Sequence, residues 1–394
     1  MALVLGWPVA PAGAWSAPAT PRIGLWIEAE GKLRTLDARE RLAAALDHAE
    51  ALGATDLFVQ VYRDGRAWFP TEAADDGPWQ RARQQGFDPL EMALARAHAR
   101  GARVHAWVNL LRVVRPAGGR LLDTLGKDTI LRGTGGVDPE AGWAPDTPGA
   151  WLDPASPEVG ARLGAMLSDL LGAYPALDGV HFDYVRYPIP LREGRGARAE
   201  PSAAFGTTAA SLARFRRDSE HGDPPANSAP DHRAAFESWR RDRLTDLLRG
   251  LGRVLESTRP GVLLSAAVMP EPDAAAGRAG QDWPRWTREG ILDLAVPMTY
   301  ATEVVAFEQT ARACVASRGK ARVLLGIGAW RLGGDAGAIA ARVRRAIHLG
   351  ADGAVLFSHD NLAARRDLFR RIGDLLEAEG IVRRPAPPRA PAMP

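Results

Sequence analysis

The chain has 394 residues, of which 46% are apolar and 25% are charged, and these are the proportions of an ordinary globular protein. Its 50 basic and 47 acidic residues leave a net charge of +3, which argues against a nucleic-acid-binding protein, since such proteins usually concentrate Lys and Arg on one face. The single cysteine, Cys314, excludes an intramolecular disulfide framework and a cysteine-cluster metal site, and no apolar run approaches the roughly 18 residues of a membrane span.

The N-terminal segment, residues 1–21, is apolar, small and rich in proline, and it has no acidic side chain. It predicts either the end of an export signal, with a cleavage pattern at Ala17-Pro18-Ala19, or a flexible arm. The two alternatives stay open. An export signal would direct the protein to the periplasm or the cell exterior, and a cytoplasmic location is the alternative.

Short β-branched or apolar runs then alternate with helical stretches rich in Ala, Arg and Leu. Eight runs predict strands, at residues 23–30, 55–62, 102–110, 178–186, 262–269, 292–300, 323–330 and 351–359. Helical stretches between and after them include 38–51, 88–100, 157–172, 232–257, 304–317, 335–349 and 361–379. This series predicts an α/β fold, a (β/α)8 TIM barrel over residues 22–380, with an open doubly wound sheet as the alternative. The proline-rich residues 381–394 predict a disordered tail.

The connections between these predicted elements differ in length. Helix-to-strand links are short and carry glycine, as at Gly101 and Gly350, whereas the connections after the second, third and fourth strands are long, at about 63–87, 111–156 and 187–231. In a barrel these long connections lie together at the C-terminal mouth, over one cavity. Aromatic residues in two of them indicate packed structure or ligand contact: Trp143, Trp151, Tyr187 and Phe205.

Alternation along each strand divides its side chains between the barrel interior and the helices. Polar groups on the inward faces are costly unless they are hydrogen-bonded, and near the strand ends they converge on the mouth, where catalytic residues of barrels lie. The predicted inward set is Trp26 and Glu28; Phe58, Gln60 and Tyr62; His105, Trp107 and Asn109; His181 and Asp183; Ser265, Ala267 and Met269 with Glu271 in phase; and His359 or Asp360. For any single member a satisfied structural polar group is the alternative, but the set indicates a binding site.

Two carboxylates from different strands, Asp183 and Glu271, suggest the chemistry. Beside aromatic side chains they are the minimum for glycoside hydrolysis, which needs one protonated acid and one ionised nucleophile or base. Flat faces that suit the C–H side of a sugar come from Trp26, Trp107, Trp283, Trp286 and Trp330, with core packing as the alternative for most of them. A metal triad of His105, His181 and Asp183 is a weaker alternative, since paired-ligand motifs are absent, and no nucleotide-binding motif predicts a cofactor.

The run DGVHFDYVRYP at residues 178–188 resembles a motif of glycosyl-hydrolase-like family ten, a bacterial family of glycosidase-like proteins formerly described as a domain of unknown function. Further segments match the family pattern across roughly residues 22–375: 87–90, 97–98 with Gly101, 105–109, 151–154 followed by 157–159, 281–283 with Trp286, and 296–300. The resemblance implies a (β/α)8 barrel, distantly similar to α-amylase-like glycosidases, and an association with bacterial cell-surface glycans.

The resemblance also implies roles. In α-amylase-like enzymes the nucleophile is an Asp that ends strand four and the general acid is a Glu that ends strand five, and by position these are Asp183 and Glu271. The chain departs from that pattern at His181, where those enzymes carry Arg. The resulting prediction is a retaining glycoside hydrolase that acts on a cell-surface or cell-wall glycan, with a non-catalytic glycan-binding barrel or a metal-dependent hydrolase as alternatives. Predicted substrate-binding residues are Glu28, Gln60, Tyr62, His105, Trp107, Asn109, His181, Arg186, Tyr187, Trp283, Tyr300 and Trp330.

Overall fold

The computed structural model of the chain describes residues 20–114, 119–132, 149–189, 206–219, 230–365 and 367–384. Eight parallel strands form its centre: β1 (Arg22–Ile27), β2 (Asp56–Arg63), β3 (Arg103–Asn109), β4 (Gly179–Asp183), β5 (Leu263–Val268), β6 (Leu294–Pro297), β7 (Arg322–Gly328) and β8 (Gly353–Phe357). Each strand pairs with the next, and β8 pairs with β1, so that the sheet closes. The predicted (β/α)8 TIM barrel is confirmed, and the open sheet is excluded.

Helices lie between the strands and outside the barrel wall. They are α1 (Arg39–Leu52), α2 (Gly77–Gln84), α3 (Pro89–His98), α4 (Gly119–Leu125), α5 (Pro157–Ala173), α6 (Ala209–Asp218), α7 (Pro230–Thr258), α8 (Pro272–Ala279), α9 (Trp283–Glu289), α10 (Val304–Ala316), α11 (Ala336–His348), α12 (His359–Leu362) and α13 (Leu368–Ala378). Capping fixes several helix starts. The Asp88 carboxylate accepts the N–H groups of Leu90 and Glu91, and Pro89 occupies the first helical position, where its missing N–H costs nothing. None of the described helices has the length and apolarity to cross a membrane.

The N-terminal end of the barrel is braced at every second strand. The residue just before β2, β4, β6 or β8 accepts, through its side chain, an N–H at the start of the preceding strand, at 2.8–3.0 Å. The four pairs are Thr55 with Ile23, Asp178 with Val104, Asp293 with Leu264, and Asp352 with Val323. This repetition fixes the register of strand pairs at the end opposite the mouth, because each carboxylate or hydroxyl aligns two neighbouring strands.

Apolar side chains form two main cores, one on each side of the barrel wall. The larger lies between strands and helices. The inner one consists of Trp26, Phe58, Trp107, Ala267, Leu294, Val296, Leu324 and Val355, with Met298 and Phe357 packed against it. The inward faces predicted from alternation are therefore confirmed at Trp26, Phe58, Trp107 and Ala267.

Tyr62 departs from the predicted alternation. The register between β2 and β3 shifts at this point, where Gln60 pairs with Trp107 and Tyr62 with Val108, so two residues of β2 advance against one of β3. As a result, Tyr62 is buried in the outer core rather than in the barrel interior. Its prediction as a residue that faces inward with Gln60 is wrong, because a bulge leaves no trace in a polar–apolar pattern.

The predictions for the chain ends fall mostly outside the described residues. Residues 1–19, the tail beyond 384, and the loop aromatics Trp143 and Phe205 all lie there. Of the disordered tail predicted from residue 381, the structure describes residues 381–384. Ile381 and Val382 are buried in the outer core, and Arg384 forms an ion pair with Asp374, so these three residues are packed against the barrel.

Candidate active site at the barrel mouth

A row of polar side chains follows the C-terminal ends of four neighbouring strands, and we call Glu28, Gln60, Asn109 and Asp183 the mouth row. Glu28 comes directly after β1, Gln60 lies near the end of β2, and Asn109 and Asp183 end β3 and β4. Gln60 connects the row, since its Oε1 accepts the Ala29 N–H at 3.2 Å and its Nε2 donates to Asn109 Oδ1 at 3.3 Å. Asn109 and Asp183 are register partners. Parallel strands end on the same edge, so the mouth row borders one opening.

Asp183 is a half-buried carboxylate with several donors around it. Its Oδ1 accepts the N–H of Tyr184 at 2.7 Å, and Tyr184 has a φ of 52°, in a region that side chains other than glycine rarely adopt. Burial raises the pKa of Asp183, whereas the Tyr184 N–H, the Arg186 charge, the Trp107 indole and the Arg63 charge lower it. The net pKa is raised, although the surroundings offer the ionised form direct stabilisation.

Glu28 is the second half-buried carboxyl group of the mouth row. Its Oε2 accepts the hydroxyl of Ser358 at 2.5 Å, and the Ser358 oxygen accepts Asn361 Nδ2 at 2.9 Å. Burial raises the pKa of Glu28. The Ser358 hydrogen bond lowers it, the Asp360 charge raises it, and Arg63 and His359 lower it, with a net rise.

Aromatic rings line the mouth at β6, β7 and β8, and we call Tyr300, Trp330 and Phe357 the aromatic face. The ring centroids lie 5.0 Å apart for Tyr300 and Trp330, 5.5 Å for Trp330 and Phe357, and 5.9 Å for Tyr300 and Phe357. Trp330 is 38% exposed, so a flat apolar ring is available to a ligand. Phe357 also contacts Trp26 and Trp107, which continues the aromatic packing into the barrel.

The hydroxyl of Tyr300 relates the aromatic face to the mouth row. Burial raises the pKa of Tyr300 well above its usual value, and the charges of Asp183, Tyr184 and Glu28 raise it further. Ring contacts give the same relation, since Phe357 packs against Tyr300 and also against Trp26 and Trp107, which precede Glu28 and Asn109 by two residues. Tyr300 therefore lies at the same barrel mouth as the mouth row.

Trp107 brings a buried donor to the barrel mouth. The side chain is 3% exposed, and its indole N–H has no hydrogen-bond partner among the described residues. The ring lies close enough to lower the pKa of Asp183, yet the N–H is outside hydrogen-bond geometry to that carboxylate. A buried donor without a partner costs about 1–3 kcal/mol, and a bound ligand with an acceptor oxygen would remove that cost.

The two histidines predicted for the site lie below the mouth. His181 is fully buried, with Trp26 Nε1 at 3.3 Å from its Nε2 and Ser265 Oγ at 2.9 Å from its Nδ1. An indole N–H can only donate, so His181 Nε2 accepts and the neutral ring carries its proton on Nδ1. Burial lowers the pKa of His181 well below its usual value, and the His105 charge lowers it further. His181 is thus a neutral support beneath Asp183.

His105 lies at the opposite end of the barrel from the mouth. Its Nε2 is 3.0 Å from Asp56 Oδ1, and Asp56 also binds Arg22 near the start of β1. The prediction of His105 as a substrate-binding residue is therefore wrong. The alternation along β3 correctly predicted that His105 faces the barrel interior, but it does not predict where the residue lies along the barrel axis. The predicted metal triad of His105, His181 and Asp183 is wrong for the same reason, since His105 and Asp183 lie at different ends of the barrel, and the described ranges contain no cluster of three potential metal ligands.

Two more predicted substrate-binding residues are enclosed by the protein. Tyr187 is 1% exposed, with the Arg240 guanidinium 3.9 Å from its ring centroid and its hydroxyl donating to the Arg240 carbonyl. Trp283 is fully buried and donates to the Met269 carbonyl at 3.0 Å. Neither offers a surface to a ligand, and core packing is the interpretation that holds for both. Arg186 is buried between Trp151 and Tyr184, but its charge acts on Asp183.

Glu271 lies beside the helical layer rather than with the mouth row. It is exposed and stands at the N-terminal cap of α8. Its charge acts on the buried Cys314 thiol of α10, and that thiol donates to the Pro270 carbonyl at 2.9 Å. The strand β5 ends at Val268, and Met269 packs in the outer core. The alternation of side chains along β5 therefore does not extend to Glu271, and the predicted position of Glu271 at the mouth is wrong.

Sequence reasoning missed several groups that shape the mouth. Phe357 continues the alternation of β8 after Val355, so its inward face was available from the pattern. Ser358 and Arg63 had no such signal. Ser358 reaches Glu28 only because barrel closure brings β8 beside β1, and Arg63 acts on both carboxyl groups from the end of β2.

Comparison with known proteins gives matches to carbohydrate-cleaving enzymes. A family model described as glycosyl hydrolase-like 10 matches residues 22–326. Glycosyl hydrolase DigH of Escherichia coli strain K12 is 27% identical over 280 residues, which cover 65% of this chain and 56% of that protein. Glycosyl hydrolase YngK of Bacillus subtilis strain 168 is 22% identical over 303 residues, which cover 70% of this chain and 51% of that protein. This chain thus spans about half the length of the curated relatives it matches.

Solved structures with the same fold include glycoside hydrolase barrels. The glycoside hydrolase domain of PgaB (BpsB) from Bordetella bronchiseptica superposes with a TM-score of 0.64 at 16% identity, and the match covers 90% of this chain and 98% of that one. A β-galactosidase from Rahnella sp. R3 gives a TM-score of 0.60 at 13% identity, covering 94% and 57%. At these identities the similarity establishes the barrel fold alone.

Proposed function

The chain belongs to the glycosyl hydrolase-like 10 family, and on that premise we propose that it is a glycoside hydrolase acting on a glycan of the bacterial cell surface or cell wall. The observation that carries the proposal is the half-buried Asp183 carboxylate at the end of β4, at the same barrel mouth as the aromatic face. Glycoside hydrolysis needs a carboxylate beside the anomeric carbon and a surface that holds the sugar ring, and this mouth offers both.

The surroundings of Asp183 suit a carboxylate that stabilises the positive charge developing at the anomeric carbon of the sugar. Its Oδ1 is held by the Tyr184 N–H, and its Oδ2 accepts no hydrogen bond from the described residues. In the retaining course that we propose, Oδ2 attacks the anomeric carbon, the glycosidic C–O bond breaks, and water later hydrolyses the glycosyl ester. The anomer formed first, identified by NMR, tests retention.

The rest of the mouth suits a sugar. Trp330 and Tyr300 offer rings to the C–H face of a pyranose, while Gln60, Asn109 and the free N–H of Trp107 offer hydrogen bonds to hydroxyl or acetamido groups. The names of the bacterial relatives and the PgaB domain support a glycan substrate. A cell-wall substrate lies outside the cytoplasm, so the proposal includes export to the periplasm or the cell exterior.

Product analysis tests the proposed function directly. Purified protein is incubated with peptidoglycan, with denuded glycan strands and with an α-glucan, and new reducing ends are counted. We expect reducing ends from a bacterial glycan and none from the α-glucan. Binding of denuded strands without any product over long incubation would instead favour the glycan-binding barrel, and loss of activity with a chelator would favour a metal-dependent hydrolase.

Replacing Trp330 by Ala should weaken substrate binding. The exposed ring contributes stacking in both the ground state and the transition state, so we expect KM to rise by roughly 3–10-fold with little change in kcat. Steady-state kinetics on the cleaved glycan measures this. Leu375, which is 41% exposed on α13, is a control, and Leu375→Ala should leave KM unchanged. A Trp330→Ala variant with wild-type KM would remove the stacking role.

The acidic limb of the pH profile of kcat/KM should follow the ionisation of Asp183. The ionised carboxylate is the active form, so kcat/KM rises as pH increases through its pKa. Burial raises that pKa despite the opposing Tyr184 N–H and the Arg186, Trp107 and Arg63 groups, so the midpoint should lie above the ~3.9 of an exposed aspartate. Measurement of kcat/KM between pH 3 and pH 7 tests this, and a midpoint at or below ~3.9 would contradict it.

A further inference from the structure

We propose that Glu28 is the general acid of this site, in the role that fold position alone would give to Glu271. The inference rests on the proposed glycoside hydrolase function and assigns the proton donor within it. Glu28 follows β1 in the mouth row and is joined through Ala29 and Gln60 to Asn109, the register partner of Asp183, whereas Glu271 is exposed at the start of α8 and acts on Cys314. A general acid has to reach the leaving oxygen at the reaction centre, and Glu28 is the glutamate of this pair that faces it.

The orientation of Glu28 is fixed by groups from the far end of the chain. Its Oε2 accepts the Ser358 hydroxyl, and Ser358 is itself held by Asn361. Its Oε1 makes no hydrogen bond within the part of the chain that the structure describes. One oxygen is thus anchored and the other is available to carry a proton to a ligand. The backbone beside it is anchored too, because the next residue, Ala29, donates to Gln60.

The surroundings of Glu28 shift its protonation equilibrium toward the neutral carboxyl group. Burial raises its pKa, and so does the Asp360 charge, while Ser358, Arg63 and His359 act in the opposite direction. Asp360 is held in place because its Oδ2 accepts the Leu33 N–H at 2.8 Å.

Asp183 has a different environment, with a backbone N–H on one oxygen and two arginine charges that favour ionisation. Burial raises the pKa of both carboxyl groups, so the acid role is assigned by geometry. Ser358 anchors one oxygen of Glu28 and leaves the other for a leaving oxygen, whereas the Tyr184 N–H and two arginine charges favour the ionised form of Asp183 that a nucleophile needs.

The proposed step balances as follows. As the glycosidic C–O bond breaks, its electron pair stays on the leaving oxygen, which takes the proton from Glu28, while Asp183 Oδ2 forms a bond with the anomeric carbon. The Glu28 carboxylate then takes a proton from an incoming water as the water oxygen displaces Asp183. Both side chains return to their starting states, and one water is consumed for each bond cleaved.

The test compares Glu28→Gln with Glu271→Gln on two substrates. The first is denuded bacterial glycan strands, and the second is the 2,4-dinitrophenyl glycoside of the fragment that the wild type releases from them. Glu28→Gln should lose roughly 10²–10⁴-fold in kcat/KM on strands, but less than about 10-fold in kcat/KM on the aryl glycoside, whose leaving group needs no proton in the first step. Glu271→Gln should match the wild type on both. Near-wild-type cleavage of strands by Glu28→Gln, or a large loss in Glu271→Gln, would overturn the assignment.

A second variant keeps the acid and changes its pKa. Ser358→Ala removes a hydrogen bond that lowers the pKa of Glu28, so the alkaline limb of kcat/KM should move to higher pH. An unmoved limb would overturn the proposal even if Glu28→Gln failed to fold. Failure of the proposed function looks different, since the wild type would then cleave no glycan at all.

Discussion

Asp183→Asn should lower kcat on the cleaved glycan by at least about 10³-fold while leaving the fold intact. The substitution keeps the shape of the side chain and keeps an oxygen that can accept the Tyr184 N–H. It removes the negative charge and the nucleophilic oxygen that would meet the anomeric carbon. Steady-state kinetics on denuded glycan strands measures the loss, with residual rates compared against buffer alone.

The stability of this variant separates a catalytic role from a structural one. Burial raises the pKa of Asp183, so at neutral pH the charged form costs the folded state free energy that an amide would not cost. We therefore expect Asp183→Asn to unfold thermally at the wild-type temperature or above it. Asp246→Asn, at an exposed ion-paired aspartate of α7, is the matched control and should change neither activity nor unfolding. Wild-type hydrolysis by Asp183→Asn would remove this residue from the mechanism.

The strand pattern predicts which face a side chain takes, but not how deep it lies. His105 and Asn109 share one face of β3, yet four residues of strand separate them by about 13 Å along the barrel. One lies with Asp56 at the N-terminal end and the other lies in the mouth row. Their shared alternation made them look equivalent. What distinguishes His105 from Asn109 is the distance of each residue from the strand ends. Sequence patterns predict strand ends only to within a few residues.

The remaining errors have local causes. A bulge after Gln60 turns Tyr62 outward, and the end of β5 at Val268 leaves Glu271 outside the alternation. Asp183 was predicted correctly at a strand end because β4 is regular up to that residue. The importance of Glu28 could not be read from its neighbours, since Ser358 and Asp360 lie more than 300 residues away along the chain. Closure of the predicted barrel brings them together, but their contacts depend on side-chain geometry.

Asp56→Ala should destabilise the protein by about 3–5 kcal/mol, the largest stability loss expected from a single change at the N-terminal end of the barrel. Asp56 is fully buried and accepts two hydrogen bonds from Arg22, at 2.5 and 2.6 Å, with His105 Nε2 3.0 Å away. Burial alone would raise the pKa of Asp56, but the His105 hydrogen bond and the Arg22 charge outweigh it and hold the pKa well below its usual range. Removing the carboxylate takes away the buried carboxylate partner of Arg22 and the hydrogen-bond partner of His105 Nε2.

Urea unfolding at several pH values tests this argument, because a lowered folded-state pKa has a defined pH signature. The stabilisation from Asp56 is complete above the unfolded pKa of about 3.9 and is lost as pH falls through the folded-state pKa below it. The difference between wild type and Asp56→Ala should therefore be constant from about pH 5 to pH 7 and should shrink below about pH 4. The exposed Asp246→Ala should cost less than about 1 kcal/mol at every pH. If Asp56→Ala lowered the free energy of unfolding no more than Asp246→Ala does, the attraction within the buried ion pair would only offset its desolvation. The side-chain hydrogen bonds at the strand starts would then be the main stabilising contacts at this end of the barrel.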